Sequence, residues 1–379
     1  MWRGRPAMEG PSSLGGSGGW ARGDGFLLIV VGILLTLGLL MIYSASAAVA
    51  ESRHGDAAYF VKRQALWAVI GLSALAVGSG IDYHRWRRAI VPLTLGVLLL
   101  LVTVLIAGWT VNGSRRWLRV GAMSIQPSEL ARVVFIVYLA HYLAKRAEVV
   151  ASFRGLAPAL IVLGAGIGLI WLEPDLGNAA VLGLVAGGLL LLGGCKVAHL
   201  ASLAGVMVPL VAFAVMGTAY QRRRWTAFLD PWADPSRDGF QMIQSFLALG
   251  GAGPMGSGLG EGRQKLFFLP EPHTDFIYAV VGEELGLAGT GGILLLFAMF
   301  LWRGWRVALA TPDPFGRLLA FGLTGAIALA AALNMGVVTG LLPTKGLPLP
   351  FVSYGGSSLV VNLFAVGMLF NISRQRGVR

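Results

Sequence analysis

The stretch FLPEPHTDFIYAVVGEELG, residues 268–286, holds Glu271, His273, Asp275, Glu283 and Glu284, in a chain with only 18 acidic residues among 379. A carboxylate at the edge of an apolar segment is partly desolvated, which raises its pKa towards working pH and suits it to general-base chemistry. Asp275 opens such a segment and is the candidate base. Asp is also a favoured helix N-cap, and one side chain can fill both roles. His273 is either a hydrogen-bond partner for Asp275 or an exposed loop histidine. Glu283 and Glu284 lie deeper in the apolar run. At about 100° per residue, Glu284 points nearly opposite to any site that Asp275 faces. The two glutamates therefore cannot both serve one centre, and either can pair with a basic residue of another helix.

The cations complement these acids. Arg222, Arg223 and Arg224 suit a diphosphate, because guanidinium binds phosphate bidentately. Lys265, at the end of GLGEGRQK, and Lys345, in LLPTKGLPLP, join them as candidates for an anionic ligand. Glu129 and Arg132 are i,i+3 neighbours, whose plain reading is a local ion pair. Glu173 and Asp175 flank Pro174 in a short turn, where Asp175 can cap the next helix. The glycines of GSGLGEG, residues 256–262, follow no strand, so they suit a flexible loop better than a nucleotide cradle. Cys195 is the single cysteine; it can form no intrachain disulfide and reads as an inert thiol.

The elements that must position these groups are membrane helices. Hydrophobic residues make up 56% of the chain and charged residues 13%, with a mean hydropathy of +0.72; a soluble domain would carry roughly a quarter charged residues. Ten apolar runs are present, at about 26–46, 60–80, 89–108, 127–144, 156–172, 178–194, 198–218, 276–302, 316–338 and 357–372. The expected fold is an all-α polytopic bundle of about ten transmembrane helices, with a large extracytoplasmic loop (219–275) between helices 7 and 8. Residues 1–25, rich in Gly, Ser and Arg, read as a disordered tail, and 373–379 as a second short tail. The first run is too long for a cleaved signal h-region.

Arg and Lys recur in the tails and in alternate short loops, which places both termini in the cytoplasm. The net charge of +12 thus points to membrane orientation and anionic head groups rather than nucleic acid. On the opposite side, 112–132, 220–245 and 258–265 are also basic, and 341–358 carries Lys345. Cations are not needed there for orientation and suggest an anionic ligand, although long loops translocate whatever their charge. Phe240, Ile243, Phe246, Leu247 and Leu249 recur at helical spacing, as a helix lying on the outer leaflet or packed on the bundle. Residues 341–358 are dense in Pro and Gly, and such backbone is tolerated at membrane depth only inside protein or beside a water-filled cavity.

PTKGLPLPFVSYGGSSLVVNLFAVGMLFNISR (343–374) closely resembles the C-terminal signature of the SEDS family, the shape, elongation, division and sporulation proteins. HTDFIYAVVGEELG, FLDPWADPSRDGFQMIQS, GSGLGEGRQKLFFLPE, NGSRRWLRVGAMSIQPSELAR and EPDLGNAAVL resemble it too, in the family's order, over about 25–374. The resemblance implies a ten-helix peptidoglycan glycosyltransferase. Such a protein polymerises lipid II at the outer face of the cytoplasmic membrane, together with a class B penicillin-binding protein and, at the septum, other division proteins. It places the family's essential Asp on Asp275, and it makes Arg222, Arg223, Arg224, Lys265, Lys345, His273, Glu129, Arg132, Ser353 and Tyr354 candidates for substrate binding. LLPTKGLPLP looks more like the division branch than the elongation branch. Three positions depart from the pattern: Phe267 where many division members place an acid, Arg132 for a usual Lys, and Glu173 for a usual Gln. A divalent cation, magnesium or manganese, could assist the leaving diphosphate, but no dense carboxylate cluster demands one. Two rival readings stay open, a lipid II flippase and a non-catalytic scaffold.

Overall fold

The structure, a computed structural model, describes residues 23–375 apart from 112, 113, 122, 147, 149, 218 and 267. Every expected apolar run is a long helix: α1 (Gly25–His54), α2 (Tyr59–Gly80), α4 (Ile90–Ala107), α5 (Pro127–Lys145), α6 (Phe153–Leu172), α7 (Leu176–Leu192), α8 (Val197–Gly217), α11 (Ile277–Leu309), α12 (Pro314–Val338) and α13 (Gly356–Arg374). Seven of these are long and apolar enough to cross a membrane by length and composition alone; α7 and the described part of α8 are shorter apolar helices. α5 is the least apolar of the bundle, because Glu129, Arg132 and Lys145 lie within it. The short helices are α3 (Tyr83–Arg88), α9 (Ala219–Leu229) and α10 (Phe240–Gly251).

The bundle is organised around α12 and α13, the most buried of its apolar helices. α13 lies along α2 at backbone contact. A β-carbon on Gly71 would meet Leu363 at 2.5 Å, and one on Gly367 would meet the Leu75 carbonyl at 2.3 Å. In lipid, where apolar burial gives helices little reason to associate, small residues that let backbones approach supply the packing.

Two features were not expected. The loop before α5 is not irregular: β1 (Trp109–Val111), β2 (Ser114–Val120) and β3 (Met123–Ile125) form an antiparallel three-stranded sheet. This sheet is a small addition to an otherwise helical fold. The second feature is a break in α11. Gly286 has φ 62° and ψ −155°, so Ile277–Leu285 and Leu287–Leu309 are two helices. The backbone groups freed by the break are satisfied by the 253–258 loop. Leu287 and Ala288 N–H donate to the Gly253 and Pro254 carbonyls, and Ser257 and Gly258 N–H donate to the Glu283 and Glu284 carbonyls. Irregular backbone inside a membrane protein is stable only when its polar groups are paired in this way.

The amphipathic helix α10 resolves to the packed alternative. Met242, Ile243, Ser245 and Ala248 are buried. Ser245 Oγ donates to the Val338 carbonyl at 2.7 Å, and Leu249 fills the space over Gly282. The Pro/Gly-rich segment after α12 is buried over its second half, with Leu347, Leu349, Phe351 and Val352 inside, while Leu341 and Gly346 are exposed.

Candidate active site

Asp275 stands just before α11, half-buried. It does not cap that helix: the N-cap position is Phe276, and no side chain caps it. The N-cap alternative is therefore set aside, and among the described residues nothing hydrogen-bonds to the carboxylate. The backbone of Asp275 is held instead. Asn334 of α12 donates its Nδ2 to the carbonyl of Asp275 at 2.8 Å and to that of Leu347 at 2.6 Å. The loop after α12 passes so close that a β-carbon on Gly346 would lie 3.1 Å from Asp275 Oδ2. Burial pushes the Asp275 carboxyl up to about 6; Arg224 and Arg116 pull it down, while Glu271 and Asp175 add to the rise. A carboxyl raised to this range suits general-base chemistry.

The cations sort into those near Asp275 and those turned away. Arg224 donates to the Thr344 carbonyl at 3.0 Å, tying α9 to the loop beside Asp275. Arg222 and Arg223 are exposed, and Arg223 lies 3.8 Å from Asp238. Successive helix residues project about 100° apart, so three neighbouring arginines cannot converge on one ligand. Lys345 is half-buried, and burial lowers its pKa. Lys265 is a correction. Its ammonium sits 2.6 Å from the fully buried Glu284 carboxylate and also donates to Ser44 Oγ and the Gly260 carbonyl. This is the basic partner expected for one of the two glutamates, contributed by a loop rather than a helix, and it leaves Lys265 committed to structure. Glu283, by contrast, accepts from the Arg263 and Gln264 N–H groups.

His273, Tyr354 and Ser353 also serve the scaffold. The His273 ring is buried between Phe60 and Tyr354, with centroids 4.3 and 5.5 Å away. Its carbonyl accepts from Tyr354 N–H at 2.9 Å. Burial drives its pKa down to about 4, and its nearest acid is Glu271, at 3.7 Å, rather than Asp275. The expectation that His273 bonds Asp275, or is an exposed histidine, is thereby corrected. The Ser353 hydroxyl accepts from Leu349 N–H at 2.8 Å inside its own turn.

A buried polar wall backs the site. Asp175 caps α7 as expected, accepting from Asn178 N–H, and also takes hydrogen bonds from Gln126, Ser128 and the Asn178 amide. Arg132 does not form the local ion pair with Glu129; it reaches Asn178 Oδ1 at 3.3 Å and Asn362 Oδ1 at 3.0 Å. Glu129 turns towards Ser357 and Ser358. Glu173 is fully buried, and neither of its carboxylate oxygens has a hydrogen-bond partner. Burial and the neighbouring Asp175 raise its pKa to about 8. Arg116 of β2 donates Nε to the Glu173 carbonyl at 3.0 Å and Nη2 to the Pro174 carbonyl.

Two members of this site escape a reading of the sequence. Asn334 is an amide inside an apolar run, a signal in its own right. Arg116 is one arginine among several in a basic loop. Phe267 lies outside the described residues. Among the described residues no three His, Cys, Asp or Glu side chains group to hold a metal ion.

Known proteins match nearly the whole length of the chain. The family described as Cell cycle protein (FtsW, RodA and SpoVE) matches residues 25–377. The chain is 48% identical over 360 residues to a probable peptidoglycan glycosyltransferase FtsW of Geobacter metallireducens, covering 94% of this chain and 96% of that one. It is 45% identical over 354 residues to the stage V sporulation protein E of Bacillus subtilis, covering 93% and 97%. A chain of a solved peptidoglycan synthase complex, described for its coordination of polymerization and crosslinking, superposes with a TM-score of 0.80 at 32% identity, over 95% of this chain and 100% of that one.

Proposed function

The chain belongs to the cell cycle protein family of FtsW, RodA and SpoVE, and on that premise we propose that it is a peptidoglycan glycosyltransferase polymerising lipid II for septal wall synthesis. The observation that carries this reading is the half-buried Asp275 carboxylate, held by its backbone and free at its oxygens, with cations on the outer loops around it.

In this reading Asp275 takes the proton of the acceptor 4-hydroxyl. The hydroxyl oxygen bonds to C1 of the donor sugar as the bond from C1 to the diphosphate oxygen breaks. Undecaprenyl diphosphate leaves with the electron pair, and single displacement turns the α-linked donor into a β-linked product. Arg224, whose helix α9 is tied to the Thr344 carbonyl, and Lys345, in the loop that passes Asp275, are the cations best placed for the diphosphate, and such electrostatic stabilisation is commonly the largest single contribution to a rate. Arg222 and Arg223 are too exposed and too divergent to form one clamp with Arg224. Glu129 and Arg132 act from behind, as part of the wall that fixes α5 against α7 and α13.

Both termini are cytoplasmic in this reading, which puts Asp275 at the outer face of the inner membrane. The partners that fit are lipid II, a class B penicillin-binding protein and further septal membrane proteins. The test is polymerisation of labelled lipid II by the purified chain with its transpeptidase partner, resolved on a gel for glycan strands. Strands from the parent and none from Asp275→Asn are expected. Strands from Asp275→Asn would overturn the base, and lipid II translocation without strands from the parent would favour a flippase.

A further inference from the structure

A cavity of about 460 Å³ lies between the first turns of α2 and the β2–β3 hairpin, lined by Arg63, Leu66, Trp67, Arg119, Gly121 and Met123. That volume is in the range of small-molecule sites. Among its described lining residues two are cations and none is an acid. Arg63 Nη1 donates to the Tyr59 hydroxyl at 2.8 Å, and the Arg119 guanidinium lies over the Trp109 ring, 4.1 Å from its centroid. Aromatic groups hold both cations, an arrangement suited to a membrane–water boundary. The cavity is on the Asp275 side of the bundle, since Phe60, one turn before Arg63, packs on His273.

Two observations bear on what it holds. Leu66 lines the cavity and is itself exposed, and Val69 and Leu72 continue an exposed apolar strip along α2. A ligand with an anionic head and acyl tails therefore meets cations at one end and lipid-facing side chains at the other. The flank of α2 nearer Asp275, by contrast, is closed by protein. Gln64 donates Nε2 to the Ser353 carbonyl and accepts from Gly355 N–H, both at 3.2 Å. The Trp67 ring fills the space over Gly356, and Tyr354 N–H donates to the His273 carbonyl. This turn stands between the cavity and the loop that leads to Asp275, so the occupant is a resident rather than a reactant.

We propose that Arg63 and Arg119, with Trp67 and Met123 as apolar walls, bind the phosphate of an anionic phospholipid drawn from the surrounding leaflet. The site is separate from the Asp275 centre and does not depend on reading Asp275 as a base. Guanidinium binds phosphate oxygens bidentately, so one head group joins α2 to the β2–β3 hairpin. Its acyl chains lie along Leu66, Val69 and Leu72.

The test is binding of dioleoyl phosphatidylglycerol to the full chain in detergent micelles, titrated by native mass spectrometry, with zwitterionic dioleoyl phosphatidylcholine as the comparison. The parent binds one phosphatidylglycerol that R63Q/R119Q binds about tenfold more weakly, as the loss of charge-assisted contacts requires. R63K/R119K retains it. R222Q/R223Q removes the same charge from exposed arginines of α9 and leaves binding unchanged. R119Q alone, at an exposed side chain, weakens binding about threefold, which decides the matter should the double variant fail to fold. Parent affinity in R119Q, an equal loss in R222Q/R223Q, or phosphatidylcholine bound as tightly as phosphatidylglycerol overturns the inference. So does undecaprenyl diphosphate that binds the parent about tenfold tighter than phosphatidylglycerol and is lost in R63Q/R119Q, since that assigns the cavity to the lipid-linked substrate.

Discussion

Asn334 donates to the backbone carbonyl of Asp275, at 2.8 Å, and not to its carboxylate. The same amide nitrogen also holds the Leu347 carbonyl. One side chain of α12 therefore fixes the residue without occupying the group that must accept a proton. Preorganisation of this kind places a reactive atom while leaving its chemistry free.

Asp275→Asn is expected to reduce strand formation about 100-fold or more, because the amide cannot accept the acceptor proton. The same change should stabilise the fold at neutral pH. The folded carboxyl is raised to about 6, so its ionisation burdens the native state once the pH exceeds the unfolded value. Melting in detergent should show Asp275→Asn at or above the parent at pH 8, by about 1–2 kcal/mol after allowing for partial exposure. That gain should fade as the pH falls through about 6 and vanish only below the unfolded value of 3.8, where both states carry the proton.

Arg224→Ala and Lys345→Ala should each raise the lipid II concentration needed for half-maximal rate, by about tenfold for one charge-assisted contact. Arg222→Ala and Arg223→Ala should change it less than threefold, since both side chains are exposed and diverge from Arg224. Rate against lipid II concentration in normally purifying variants decides this. Equal effects at all four positions would restore a single arginine clamp.

Lys265→Met and Glu284→Gln should each destabilise by about 3–5 kcal/mol, because each leaves half of a buried ion pair without its partner. The double variant Lys265→Met/Glu284→Gln should cost less than the sum of the two. Thermal melting of the four proteins closes the cycle. Additive losses would mean the pair is not coupled.

A reporter fused after Arg379 should be active only in the cytoplasm, as the alternation of Arg and Lys between loops requires. Periplasmic activity there would invert the bundle and place Asp275 on the wrong face.

The helices were legible because a bilayer imposes a simple length rule on apolar runs. Asp275 stands out in the sequence because acids are scarce and this one opens an apolar span. Side-chain direction was not legible. Arg222, Arg223 and Arg224 look like a clamp as letters and diverge as a helix. Lys265 looks like a ligand cation until Glu284 is folded against it from nineteen residues away. The β1–β3 sheet escaped because its strands are short and Arg115, Arg116 and Arg119 read as a basic loop. The break at Gly286 was hidden inside an apolar stretch that is continuous by composition, where no hydropathy sum registers a single φ.

That break has a mechanical consequence. An unbroken helix is a rod, and a tilt at one end appears at the other. At Gly286 the rod is cut, and the 253–258 loop is fastened to both pieces, to Glu283 and Glu284 before the break and to Leu287 and Ala288 after it. The loop is a splint across the joint, so the angle between the two pieces is set by paired backbone in a loop rather than by a continuous helix.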